Sequence, residues 1–92
     1  MGITLSEKDP LIQIWEEEDC VHMDVRLFLL EGGEPFPYIM EALDQLEKEE
    51  SLVLHTPFEP FPLYRVLERK GFLYSTTKLS EDHFEVKISH RS

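Results

Sequence analysis

The chain has 92 residues, enough for one modest hydrophobic core and too few for two, so any functional site has to be built on a single domain. Nine basic against nineteen acidic side chains give a net charge of −10, which works against a phosphate-backbone partner and so against nucleic-acid binding. No apolar run approaches the length of roughly 20 residues that a membrane helix needs, and the N-terminus lacks the basic-then-apolar pattern of a secretion signal.

The acid is unevenly spread. Residues 1–50 hold three basic and fourteen acidic side chains, a balance of −11, and residues 51–92 hold six and five, a balance of +1. A local basic patch of Arg65, Arg69 and Lys70 is too small to reverse the argument against nucleic acid. A solvated acidic surface that keeps the protein soluble accounts for the imbalance. The single cysteine, Cys20, cannot form an internal disulfide, which fits a reducing, cytoplasmic setting. Met1 to Ser6 fits the short N-myristoylation pattern, a permissive match that we read as chance.

In chain order, residues 1–10 mix polar side chains and end in Asp9-Pro10, and they read as a mobile leader before a single domain over 11–92. Residues 11–15 and 20–26 read as two strands of a hairpin around the acidic turn 16–19. In the second strand Val21, Met23 and Val25 alternate with Cys20, His22, Asp24 and Arg26, the pattern of a sheet covered on one face only. Residues 27–30 are continuously apolar and read as a packed approach to the turn at Gly32-Gly33.

Glu34-Pro35-Phe36-Pro37 and its echo Glu59-Pro60-Phe61-Pro62 then open two helices, because proline's fixed φ and missing N–H suit a first helical turn. The first helix is expected over 38–50, with Ile39, Met40, Leu43 and Leu46 inward, and the second over 63–70, ending at Gly71. Between them, 52–55 is a short apolar strand of the kind reached by a helical crossover. Residues 72–79 and 83–89 form a closing hairpin. The order is an α/β two-layer sandwich: a β-α-β-α-β-β core preceded by one further N-terminal strand, with a mixed sheet and two helices on one face.

With that order in place, the chain resembles the uncharacterised domain-of-unknown-function family 2249, and more distantly the TusA-like (SirA-like) sulfur carriers. The residues that carry the resemblance are Asp24-Val25-Arg26, Gly32-Gly33-Glu34-Pro35-Phe36-Pro37, His55-Thr56-Pro57-Phe58-Glu59-Pro60, Leu63-Tyr64 and Glu68-Arg69-Lys70-Gly71-Phe72, within a span of 21–88. The resemblance implies a TusA-like two-layer domain and suggests service beside redox or metal proteins. Sulfur carriers place a cysteine before the first proline of the helix entry, where a helix N-terminus favours the thiolate. Here that position is Glu34, which cannot carry a persulfide, and Cys20 does not replace it.

Three groups of residues carry chemistry. Cys20, His22 and Asp24 alternate along one strand, about 6–7 Å apart on one face, and together offer sulfur, imidazole and carboxylate to a transition metal such as zinc, with His83 or Glu85 from a neighbouring strand closing the site. An open polar sheet face accounts for the same residues without a metal. His55, Glu34 and Glu59 fall at the carboxyl ends of the strands, where α/β folds bind ligands, and Arg26 is placed to orient an anionic group there. Phe36, Tyr38, Phe58, Phe61 and Tyr64 crowd the helix entries as an apolar rim or as packing for the loops. The leading expectation is a small cytoplasmic, non-catalytic, cofactor-free module that binds a protein partner or a small ligand through Arg26, Glu34, His55 and Glu59. A metal-binding protein using Cys20, His22 and Asp24 is the alternative, and the open sheet face also suits a homodimer.

Overall fold

A computed structural model of the chain describes residues 3, 5 and 9–91. The myristoylation pattern at the N-terminus lies largely outside the described residues. Within the leader, Leu5 is buried in the core and Ile3 packs against it.

Five strands form one mixed sheet in the order β1-β2-β3-β5-β4: β1 (Gln13–Glu17), β2 (Cys20–Asp24), β3 (Ser51–Thr56), β4 (Phe72–Ser80) and β5 (His83–His90). All neighbours are antiparallel except β2 and β3, which run parallel. The helices are α1 (Arg26–Leu30), α2 (Phe36–Gln45) and α3 (Phe61–Lys70). The architecture is the two-layer α/β sandwich expected from the sequence, with one helix more than the pattern showed.

The alternation in β2 sorts the sheet's two faces. Val21 and Met23 turn inward with Leu52 and Leu54 of β3 and Val86 and Ile88 of β5, all essentially without solvent contact. Ile39, Ala42 and Leu43 of α2 and Leu63 and Leu67 of α3 cover them. Burying a side chain of this kind contributes about 1.5–3 kcal/mol, so this layer supplies most of the driving force for folding.

The run at 27–30 is helix rather than extended approach. Four consecutive apolar residues carry no period, so only the tertiary setting assigns them. Here Gly32 takes φ +88°, which lets its N–H reach the Leu29 carbonyl at 3.0 Å and the Gly33 N–H reach the Phe28 carbonyl at 2.8 Å. That is the double hydrogen bond that closes a helix through a left-handed glycine. The turn at Gly32-Gly33 thus ends α1 before the chain enters α2.

α2 stops at Gln45 rather than running to residue 50. Leu46 becomes extended (ψ 126°) and buries its side chain, and the next four residues, Glu47 to Glu50, include three carboxylates that would sit at the negative end of the helix dipole. The Leu46 carbonyl instead accepts a 2.7 Å hydrogen bond from His90 Nε2. α3 ends as the sequence predicts, at Gly71 in the left-handed region with Arg69 and Lys70 in its last turn.

Gly33 is held to glycine by its neighbour. A β-carbon there would stand 2.5 Å from the Phe28 ring, which is itself packed edge-on against Tyr38 at 5.4 Å between centroids. Gly33→Ala should therefore cost about 1–3 kcal/mol as an overpacking change. Urea unfolding measures it, and an unchanged midpoint would show that the Phe28 ring moves freely.

Candidate functional site

The parallel pairing of β2 and β3 sets Asp24 opposite His55 and brings the carboxyl ends of both strands together. Ligand sites in α/β folds gather at such ends. Two clefts open there, one bordered by β1 and α1 and the other on the helix side.

The first cleft encloses about 420 Å³. Leu11, Leu27, Leu30 and Pro57 give it an apolar lining, and Gln13, Asp24, Arg26 and Asp82 supply the polar groups. Leu27 and Leu30 lie exposed on α1, at 56% and 69%. Arg26 leaves β2 to start α1, so its guanidinium folds back on the strand end. Nε donates to both Asp24 oxygens at 3.1 and 3.3 Å and Nη2 donates to Oδ2 at 2.8 Å, while the Arg26 backbone N–H also binds Oδ1 at 3.0 Å. Burial alone would raise the Asp24 pKa, but the hydrogen bonds and charge of Arg26 outweigh it and hold the carboxyl below its ordinary value. The same pairing raises Arg26, with Asp82 adding to the effect.

The second cleft, about 290 Å³, lies between the entries of α2 and α3. Val25, Leu54 and Thr56 contribute from the strand ends and Phe36, Ile39 and Leu63 from the helices, with Phe58 exposed at 52% beside them. Glu34 is the one charged side chain in its lining, and its Oε1 accepts the Phe36 N–H at 3.0 Å. Its carboxylate thus fills the anion position of the helix start with the protein's own charge.

The sequence placed His55 with Glu34 and Glu59, and the structure does not bring these three together. Glu59 accepts from Tyr64 Oη at 3.0 Å, and Tyr64 also hydrogen-bonds Thr76 Oγ1 and stacks on Tyr74. His55 points to the opposite, open face of the sheet. There His22 Nδ1 meets His55 Nε2 at 3.0 Å, and His55 Nδ1 meets His83 Nε2 at 2.9 Å. His22 Nε2 reaches Glu17 Oε1 at 3.2 Å, and the Trp15 indole lies nearly parallel to both the His22 and His55 rings, donating its own N–H to Glu17.

Cys20, His22 and Asp24 do share this face, as alternation requires, but each has a separate setting. His22 is engaged by His55 and Glu17, Asp24 by Arg26, and Cys20 is a half-buried free thiol opposite Glu17 and Ser51. Among the described residues no three His, Cys, Asp or Glu side chains stand close enough to share a metal ion. The histidine row crosses three strands diagonally, and sequence spacing gives no sign of it. Only the pairing of His55 with Asp24 and Glu85 could have revealed it.

His55 is only 6% exposed. Burial is the main reason its pKa falls below 6.5; the Asp24 and Glu85 carboxylates oppose the fall, and the His83 and His22 rings add to it. A depressed folded pKa means that the neutral ring stabilises the fold, fully so above the unfolded value of 6.5 and progressively less as pH drops toward the folded value. Stability from urea titrations should decline as pH falls through about 6.5 and below, by at most about 1.4 kcal/mol per pH unit for each proton by which the unfolded chain's uptake exceeds the folded chain's. His55→Gln should flatten that slope, and an equally steep slope in the variant would remove His55 as its source.

No helix among the described residues is long and apolar enough to cross a membrane. No curated protein and no solved structure matches the chain. A family model described as an uncharacterized conserved protein, DUF2249, matches residues 22–90, from the first histidine of the row to the end of β5, and the chain belongs to that family.

Proposed function

We propose that the chain is a small non-catalytic binding module that takes a ligand in the Arg26 cleft. The observation that carries this reading is the cleft itself, about 420 Å³ at the shared carboxyl ends of β2 and β3. That volume falls in the range of small-molecule sites, and so does its character, an apolar lining with a few converging polar groups.

The charge of the cleft selects its ligand. Arg26 is already neutralised by Asp24 and has Asp82 nearby, so the polar end of the cleft carries one cation against two carboxylates. A free carboxylate gains little there, whereas a neutral amide or an ammonium group can donate to the acids. The ligand is therefore a short aliphatic body with an N–H-bearing head. Glu34, standing where sulfur carriers hold their cysteine, supports binding rather than sulfur relay on a TusA-like scaffold. The one cysteine supports a reducing, cytoplasmic setting.

Butylamine, butyramide and butyrate serve as probes in a backbone-amide NMR titration at millimolar concentration. Butylamine and butyramide are expected to shift the signals of Leu11, Arg26, Leu27 and Leu30, and butyrate to shift them at least threefold less at equal concentration. Leu30→Glu, at an exposed position, should weaken butyramide about tenfold, the order of effect of losing apolar contact and burying a charge in its place. Silence at these amides for all three probes, or shifts centred elsewhere, would overturn the proposal.

A further inference from the structure

On the open sheet face, Glu17, His22, His55 and His83 form one unbroken series of contacts at 3.2, 3.0 and 2.9 Å. The ring centroids lie 5.3 and 5.1 Å apart while the facing nitrogens are within hydrogen-bond distance, so the rings meet nitrogen to nitrogen along their edges. Both nitrogens of His22 and of His55 are used.

Such a series has only one arrangement of hydrogens when its rings are neutral. An ionised Glu17 can only accept, so His22 Nε2 donates to it and His22 Nδ1 must accept. His55 Nε2 then donates to His22, and His55 Nδ1 accepts from His83 Nε2. His83 Nδ1 is left as the one nitrogen of the chain with a lone pair not used within it.

A proton added at His83 Nδ1 leaves every hydrogen bond intact. Transfer of the hydrogens inside each bond then moves the positive charge to His55 or His22 without moving a heavy atom. A second proton would place two hydrogens in one N···N gap and break the chain. Three histidines in this arrangement therefore hold one proton.

We propose that His22, His55 and His83 are a single proton-binding relay, anchored at Glu17, that carries one positive charge diagonally across the open face of the sheet. Three carboxylates face that charge, against the burial that disfavours it at His55. Glu17 faces it from β1, Asp24 from β2 and Glu85 from β5, while Arg26 of α1 is held off by its pairing with Asp24. Cys20 on β2 and Lys87 on β5 lie further along the same face. Trp15 covers the His22 and His55 rings and adds a π face to the cation. The His83 end adjoins Asp82, which lines the cleft, so the relay joins the β1 edge of the sheet to the neighbourhood of the proposed ligand site. It rests on the hydrogen-bond series alone and stands whether or not the cleft is occupied.

The test is imidazole nitrogen NMR on the native protein through a pH titration, with and without a chelator, alongside the fluorescence of Trp15, the one tryptophan in the chain. At high pH all three rings should be the Nε2–H tautomer. On acidification they should respond at one shared midpoint with uptake of one proton in total, and Trp15 emission should fall at that midpoint, because an imidazolium in ring contact quenches indole. Glu17→Gln at an exposed position should lower the shared midpoint by about half a pH unit, a threefold loss of proton affinity, as expected for removing one partly exposed counter-charge. Three independent midpoints, uptake of more than one proton by the folded chain, an Nδ1–H tautomer at His22 or an unchanged midpoint in Glu17→Gln would each overturn the relay. So would a titration that appears only after chelation, since the rings would then be holding a metal ion.

Discussion

The register between β2 and β3 is the constraint on which the rest depends. Sliding one strand by a single residue would send the whole set of alternating side chains to the wrong face. In the observed register Val21 and Met23 meet Leu52 and Leu54 on the buried side, and Asp24 meets His55 on the open side. Burial of the first set holds the second in place. Because the pair is parallel, the chain must cross over between the strands, and α1, the glycine turn and α2 are that crossover. The Arg26 cleft, the cleft between the helix entries and the histidine row all follow from this one alignment.

The architecture was largely legible because it rests on local signals. Two Glu-Pro-Phe-Pro entries, period-2 alternation in β2 and a closing Gly71 each carry their own physical reason, and together they give the sandwich and the parallel pair. α1 was not legible, since Leu27 to Leu30 have no period and only the contacts of Phe28 and the glycine turn assign them. The end of α2 was misplaced because the apolar spacing carries on through Leu46, while the carboxylates after it favour termination.

The site was legible only in parts. Asp24 and Arg26 stand two residues apart, so their ion pair is a short-range contact within reach of a sequence reading. The row of His22, His55 and His83 was not, because its members are 33 and 28 residues apart and meet across strand pairings that no local pattern encodes. Their shared place at the carboxyl ends of the strands instead grouped His55 with Glu34 and Glu59, whereas the two-residue period of β3 turns His55 to the face away from the helix entries that hold the two carboxylates.

The acidity of the first half of the chain takes on a different meaning in the folded molecule. Glu17 fixes the hydrogens of His22, Asp24 holds Arg26 against the strand end, and Glu34 fills the start of α2. Each of these carboxylates meets a local donor or cation, so part of the excess negative charge is tied to a specific partner even where, as at Glu17 and Glu34, the side chain stays exposed. Glu34 makes the helix entry unreceptive to an anion, Asp24 removes most of the anion affinity of Arg26, and Glu17 favours a cation on the histidines. All three lean toward neutral or positively charged partners, which is the electrostatic property that the cleft and the relay share.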